Sequence, residues 1–410
     1  MVHKERFFDL PEYPFSRLRN LLNNISPEEE PVDFSIGEPK HSIPNFVSKA
    51  IKKNTNHLNK YPPNFGSELL LNSISKWLAK RYNIAAPDPN STIMALNGSR
   101  EGIFNATLAL CNKKNNSEKP IVLIPNPFYQ CYLAAVLAAD AEPFFVPATV
   151  ENHFLPDFKK VSQKILNKTS IVFICSPSNP QGAIADLNYW KSLFDLAELY
   201  GFKIFSDECY SEIYREKKPI GILQATDTLG YDLEKVLSFN SLSKRSNLPG
   251  IRSGFVCGGL NNIDSIKKLR TYGGSPLPMP IQEISILAWD DETHVKTNLH
   301  LYREKYEIAD KIFKNFSGYN PPEAGFFLWL EVGDGEKLTH LLWKKHGVKC
   351  LPGSFLSYEK RNQLNSYNLG SSFIRVALVN SLEKTTKGLS KIAKTLKLEI
   401  EEEIYNNVNC

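Results

Sequence analysis

Lys244 is the residue around which chemistry can be built. It stands in Ser241-Leu-Ser-Lys244, after the apolar run 236–239, and is followed by a Pro-Gly turn and Arg252. A lysine at the tip of a buried strand is costly to keep charged, because burial disfavours the ammonium. The neutral amine that burial favours is the form that attacks a carbonyl. Ser241 and Ser243 add hydroxyls and Arg252 adds a fixed positive charge, a set that suits a phosphate. Lys244 therefore reads as a lysine able to hold pyridoxal phosphate as a Schiff base. The same stretch also reads as a solvated basic loop, so other loops must decide between the two.

Each of those loops offers a group that such a cofactor needs. Gly98, Ser99 and Arg100 open a helical pattern, where free N–H groups and the positive end of the helix dipole suit a phosphate. An ordinary N-cap explains a Gly-Ser pair equally well. Asp207, at the end of an apolar strand, can keep a pyridine nitrogen protonated and make the ring an electron sink. Asn179 and Tyr210 can hydrogen-bond the ring's phenolate oxygen, and Tyr129 can stack on its face or serve as a plain core aromatic. Gly37, in Ser35-Ile-Gly-Glu-Pro39, can let a ligand approach the backbone. Arg375 is a lone charge inside Phe373-Ile-Arg-Val-Ala-Leu378. Its planar fork fits an α-carboxylate, and a structural ion pair is the competing reading.

These residues need a scaffold, and the periodicity supplies one. Apolar runs over 92–96, 121–124, 171–175, 202–206, 236–239 and 254–257 read as strands. Helical patterns over 99–111, 129–139 and 187–200 lie between them, which signals an α/β architecture with a mostly parallel sheet. In such sheets ligands sit beyond the carboxyl ends of the strands, where these loops fall. Segment 282–316 reads as one helix of about nine turns, broken only by uncertain interruptions. Beyond it come strands at 325–330 and 373–378, helices at 337–346 and 382–396, and the loop Leu351-Pro-Gly-Ser-Phe355. Near the start, 15–22 and 46–51 read as helices and 32–36 as a strand.

Composition narrows the classes. At 410 residues, 42% hydrophobic and 23% charged, the chain is an ordinary globular protein long enough for two domains. The charge of +5 comes from 49 basic and 44 acidic side chains, with no basic run to favour nucleic acid. No signal-peptide or membrane-span pattern is present, and seven scattered cysteines without a C-x-x-C pair suggest free thiols in a reducing cytoplasm rather than disulfides or a metal site.

Taken together, Asn179-Pro-Gln-Gly182, Asp207-x-x-Tyr210, Ser241-x-Ser-Lys244, Arg252 eight residues later and Arg375 resemble the class I/II aminotransferases, pyridoxal-phosphate enzymes of fold type I. The resemblance covers the whole chain. Within the family it is closer to bacterial succinyldiaminopimelate transaminases, through Ile36-Gly-Glu-Pro-Lys-His41, Pro125-Asn-Pro-Phe-Tyr-Gln130, Ser206-Asp-Glu-Cys-Tyr-Ser-Glu-Ile-Tyr214 and Leu351-Pro-Gly-Ser354. It departs from that pattern at Gly273, where a histidine is expected, and at Ser99, where threonine is more usual.

The resemblance implies a large domain over 46–280 with a mostly parallel sheet of the seven-stranded type. It also implies a smaller α+β domain with its linking helix over 281–410, and an N-terminal segment, 1–45, packed with the smaller domain. It makes Lys244 the cofactor lysine, Asp207 the pyridinium partner, Ser241 and Arg252 phosphate ligands, and Tyr61 a residue that reaches the neighbouring subunit's phosphate in a homodimer. The expected reaction is amino transfer between glutamate/2-oxoglutarate and N-succinyl-2-amino-6-oxopimelate. An aspartate or aromatic aminotransferase and a C–S lyase keep the same cofactor residues. A regulator on this fold would need a DNA-binding extension for which the chain has no room. Lys40, Arg19 and Arg245 are candidates for the distal succinyl group because they are basic and close to site loops.

Overall fold

The computed structural model describes residues 7–8, 10–112, 118–359 and 367–408; Cys410 lies outside them. Its centre is a seven-stranded sheet in the order Ile93–Leu96, Gly254–Gly258, Val236–Ser241, Lys203–Asp207, Thr169–Cys175, Ile121–Asn126, Glu142–Pro147. All neighbours are parallel except Gly254–Gly258, which runs antiparallel to both strands beside it. The strands Ile121–Asn126, Thr169–Cys175 and Val236–Ser241 are buried along their whole length. That is why they read as continuous apolar runs: both faces of the sheet are covered. One face packs on Leu78, Trp190, Phe194 and Trp289, the other on Ile103, Tyr132, Leu133 and Ile263.

The single reversed strand matters for the site. Ser241 pairs with Gly254 and Leu96 also pairs with Gly254. The start of the reversed strand, and Arg252 before it, therefore come to the edge where the parallel strands end.

In the smaller part of the chain, Val348–Lys349 and the start of the expected 351–355 loop, Leu351–Pro352, are strands that periodicity missed; within the large sheet the strand it missed is Glu142–Pro147. It carries Pro143 and Pro147 and lies at the sheet margin, where a residue without an N–H is tolerated because one side of the strand has no partner. The long helix expected over 282–316 is two helices, Met279–Asp290 and Thr293–Phe313. Between them the Asp291 carboxylate accepts from the His294 N–H at 3.0 Å, satisfying one of the free N–H groups in the second helix's first turn. The two also pack differently. Ile284, Ala288 and Trp289 join the large sheet's core, whereas Tyr302, Tyr306, Ala309 and Phe313 join a separate core with Phe326, Leu328 and Val376.

That second core covers a three-stranded antiparallel sheet, Leu351–Pro352, Phe373–Ala377 and Phe327–Glu331. The strand expected at 32–36 is confined to Val32–Asp33, which pairs with Val348–Lys349. Just beyond it, the Phe34 carbonyl accepts from the Ala377 N–H at 2.8 Å. The helix Pro14–Leu21 places Leu18 against Trp329, Leu351 and Phe355. Helix Leu382–Val408 closes the chain, longer than the 382–396 expected.

Candidate active site

The carboxyl ends of the large sheet open into a cavity of about 390 Å³ whose far wall is the smaller sheet. Gly37, Ser99, Arg100, Tyr129, Asn179, Asp207, Tyr210, Ser241, Ser243, Lys244, Arg252 and Arg375 all line it. Gly98 sits just behind Ser99, and Tyr61 is fully exposed and lines no part of it.

Lys244 lies on a one-turn helix, Leu242–Arg245, capped by Ser241, whose Oγ accepts from the Ser243 N–H at 3.1 Å. Its ammonium donates to the Gly37 carbonyl and lies 5.2 Å from the centre of the Phe326 ring. Loss of hydration brings its pKa down from 10.5 to about 8, and the positive charges of Arg375 and Arg252 push the same way. About a tenth of the amine is therefore neutral at pH 7, far more than for a lysine with the ordinary value. Gly37 is small because of Phe327: a Cβ there would fall 2.5 Å from the ring's Cζ.

Asp207 ends its strand with the carboxylate in the cavity. It accepts from the Tyr132 hydroxyl at 3.0 Å and the Cys209 N–H at 3.3 Å. Burial raises its pKa despite these donors. No ion pair among the described residues includes it. The adjacent Glu208 faces the other way, into the core, where the Tyr82, Ser206 and Ser238 hydroxyls and the Ile222 N–H satisfy it. The alternation of the strand separates the two carboxylates, giving one to the cavity and one to the core.

Arg375 is 5% exposed and stands over the Phe327 ring, 4.2 Å from its centre. It donates to the Ser35 carbonyl at 2.8 Å and to Asn179 Oδ1 at 3.1 Å, while its Nε has no partner among the described residues. The ion-pair reading of this arginine finds no support, since no carboxylate among the described residues pairs with it. Burial brings its pKa down to about 10. Because Asn179 offers its oxygen to Arg375, its Nδ2 is left for the cavity. Arg100 donates to the Tyr129 hydroxyl, and Ser99 Oγ lies 2.9 Å from Cys209 Sγ.

The donor set fits pyridoxal phosphate. Asp207 is a buried carboxylate without a cation, which a protonated ring nitrogen would supply. Ser99, Ser241, Ser243 and Arg252 gather beside the N-terminus of helix Ser99–Leu110, a site for a phosphate. Gly98, at φ 84°, lets this cluster close: a Cβ there would lie 2.3 Å from the Arg252 guanidinium.

Residues that the sequence did not single out complete the walls. Tyr132 orients Asp207, Phe327 floors Arg375, and Tyr13 and Phe15 close the N-terminal side. Tyr132 carries a weak signal in being three residues past Tyr129, on the same side of the helix; the others carry none. Lys40, Arg19 and Arg245 do not line the cavity. Lys40 donates to Asn380 at 2.8 Å, Arg245 is buried against Glu292 at 2.7 Å, and Arg19 lines a separate cleft beside Trp343. Basic residues next to site loops in sequence point away from the site in space. Gly273 lines a second, wider cavity of about 860 Å³ that shares Tyr13, Arg100, Tyr129, Gln130 and Arg252 with the first. A Cβ on Gly273 would meet nothing within 4 Å, so packing does not require glycine there.

Fold and site together define a fold type I enzyme that works through pyridoxal 5′-phosphate. A profile of aminotransferase class I and II matches residues 29–392, and the chain belongs to that family: it is a pyridoxal-phosphate-dependent aminotransferase acting on amino and keto acids. It is 30% identical to LL-diaminopimelate aminotransferase of Aquifex aeolicus, over 96% of this chain and 99% of that one. The crystal structure of an aminotransferase from Neisseria meningitidis superposes with a TM-score of 0.90 at 39% identity, covering 96% of this chain and 99% of the other. A probable N-succinyldiaminopimelate aminotransferase from Thermus thermophilus shares the fold, with a TM-score of 0.80 at 24% identity over 93% and 99% of the two chains. Among the described residues no helix is long and apolar enough to cross a membrane.

Proposed function

We propose that the enzyme moves an amino group between glutamate/2-oxoglutarate and N-succinyl-2-amino-6-oxopimelate, forming N-succinyl-diaminopimelate. The observation that carries the amino-acid part of this reading is Arg375, a buried guanidinium in the same cavity as Lys244 with no acidic partner among the described residues. An α-carboxylate supplies the missing charge and accepts two parallel hydrogen bonds. The relatives named as LL-diaminopimelate aminotransferases support a seven-carbon skeleton. The wider cavity beyond Arg100 and Tyr129 supports a tail longer than that skeleton.

When bound, pyridoxal phosphate supplies an aldehyde for amines and a ring that withdraws electrons from the substrate's α-carbon. Lys244 would hold it through its amine and, once displaced, would take the proton from the substrate's α-carbon and return it to the cofactor carbon on the far side of the nitrogen. Asp207 would hold the proton on the ring nitrogen, with Tyr132 and the Cys209 N–H keeping the carboxylate in place. Ser99, Ser241, Ser243 and Arg252 would hold its phosphate, with Gly98 and the helix start behind them; Tyr129, fixed by Arg100, would stack on its ring, and Asn179 and Tyr210 would hydrogen-bond the ring's oxygen. Gly37 offers its carbonyl to Lys244 on the cavity wall, where substrate would lie against it. The working unit is a homodimer in which exposed Tyr61 reaches the phosphate of the neighbouring subunit. Unpaired thiols at the six described cysteines suit the cytoplasm.

LL-diaminopimelate itself is the second reading. The relatives' names favour it, and so does Glu38, a carboxylate on the cavity wall in no ion pair among the described residues, which would suit a distal ammonium. Purified enzyme loaded with cofactor distinguishes them. Glutamate alone should carry it through one half-reaction and stop. The succinylated keto acid should then return it with a kcat/KM about ten- to hundredfold above oxaloacetate, the value of one well-placed charged contact. A better rate with the free keto form of diaminopimelate favours the second reading, and equal rates with oxaloacetate remove both.

A further inference from the structure

Helix Thr293–Phe313 buries a lysine that the cofactor site does not use. Lys305 is 1% exposed and in no ion pair among the described residues. Its Nζ donates to the Leu378 carbonyl at 3.0 Å and meets His41 Nε2 at 2.6 Å. Across the ring, His41 Nδ1 lies 2.7 Å from Asn298 Oδ1, and Asn298 Nδ2 donates to the carbonyls of Lys244 at 3.2 Å and Arg245 at 3.4 Å. An unbroken hydrogen-bond line thus runs from the backbone of Lys244 to Leu378, the residue after the strand that carries Arg375.

The polarity of the line is determined. The Asn298 amide must turn its NH₂ toward the two carbonyls, so its oxygen faces His41 and Nδ1 carries the ring's proton. Nε2 is then a bare acceptor for Lys305. With Nδ1 and Nε2 both committed, a second proton on His41 would face the lysine directly. Burial lowers His41, helped by the Lys305 charge, and brings Lys305 down to about 7, in keeping with a line that carries at most one charge. The last carbonyls of a one-turn helix have no partner within that helix; here Asn298 supplies it.

We propose that Lys305, acting through His41 and Asn298, is a positioning residue for Lys244: the relay clamps the end of the Lys244 helix to the strand bearing Arg375. The amine and the guanidinium then keep a constant separation while a substrate is held between them. This inference rests on the roles given above to Lys244 and Arg375.

The test uses cofactor-loaded His41→Leu, Lys305→Met and His41→Gln, followed by stopped-flow absorbance of the glutamate half-reaction and by thermal unfolding. His41→Leu and Lys305→Met should slow the half-reaction by about ten- to hundredfold, the scale of a small misplacement of a reacting group. Apparent affinity for glutamate should change by less than about threefold, because Arg375 keeps its bonds to Ser35 and Asn179. His41→Gln presents an amide oxygen to Lys305 and an N–H to Asn298, and should recover most of the loss. If His41→Leu does not fold, Lys305→Met against His41→Gln carries the comparison. Rates within about twofold of the parent in the folded Leu and Met variants overturn the proposal. So does a Gln variant as slow as the apolar ones, since that loss would be one of packing. Borohydride fixation separates the two levels: cofactor trapped away from Lys244 sinks the earlier reading, whereas trapping at Lys244 with unchanged rates sinks only the relay.

Discussion

Replacing Arg375 with methionine should separate stability from substrate recognition. In the folded protein this guanidinium is buried without a carboxylate, and its pKa falls from 12.5 to about 10. That drop corresponds to a cost of about 3 kcal/mol for keeping the charge buried at neutral pH. The folded value is the lower one, so the cost applies throughout the range below about pH 10 and is relieved only above it. Against it stand two charge-assisted hydrogen bonds, to Ser35 and Asn179, worth about 1.5–3 kcal/mol each. Arg375→Met relieves the first and loses the second, a net loss of about 0–3 kcal/mol and a fall in Tm of no more than about 6 °C. If Arg375 grips the α-carboxylate as proposed, its loss removes a bidentate contact of about 3–6 kcal/mol, so kcat/KM for glutamate should fall by about 10²- to 10⁴-fold. Butylamine, which has no carboxylate, should react with the loaded variant as it does with the parent. The assay is the absorbance change of bound cofactor, with calorimetry alongside. A loss for glutamate of under about tenfold, or an equal loss for butylamine, would refute the reasoning.

Lys244→Ala should abolish turnover and borohydride fixation of the cofactor; peptide mapping that finds the cofactor on another lysine sinks the assignment. The lowered pKa of Lys244 predicts that capture of pyridoxal phosphate by the cofactor-free protein rises with pH and levels above about 8, because the neutral amine is the attacking form. A rate that still climbs steeply at pH 10 would contradict it. Tyr132→Phe removes the hydroxyl that donates to Asp207 at 3.0 Å, leaving the carboxylate less stabilised as an anion. A several-fold drop in the rate constant is expected, about 1 kcal/mol, and an unchanged rate would show that the Cys209 N–H alone holds Asp207.

Much of the site was legible in sequence because local pattern determines it. A continuous apolar run that ends in Lys244, Asp207 or Asn179 places those residues beyond a buried strand, and parallel strands with helical crossovers must end on one edge. The lone arginine in an apolar strand marked Arg375 in the same way. Three things depended on the assembled chain. The route by which Arg252 reaches Ser99, Ser241 and Ser243 is one, since Gly254–Gly258 runs antiparallel to its neighbours and an apolar run does not reveal its direction. The sequence singled out Asp207, but that Glu208 beside it turns into the core, onto Tyr82, Ser206, Ser238 and the Ile222 N–H, appeared only in the assembled chain. His41 and Lys305 stand 264 residues apart and meet only when the N-terminal segment lies across helix Thr293–Phe313. Arg19, Lys40 and Arg245 show the converse, since closeness in sequence to a site loop does not decide where a side chain points. Hydrophobic periodicity and turn residues act over a few neighbours, so one sequence determines its strands and loop positions locally. Which side chain enters the cavity, and which distant partner satisfies it, is decided by packing between segments that have no short-range relation.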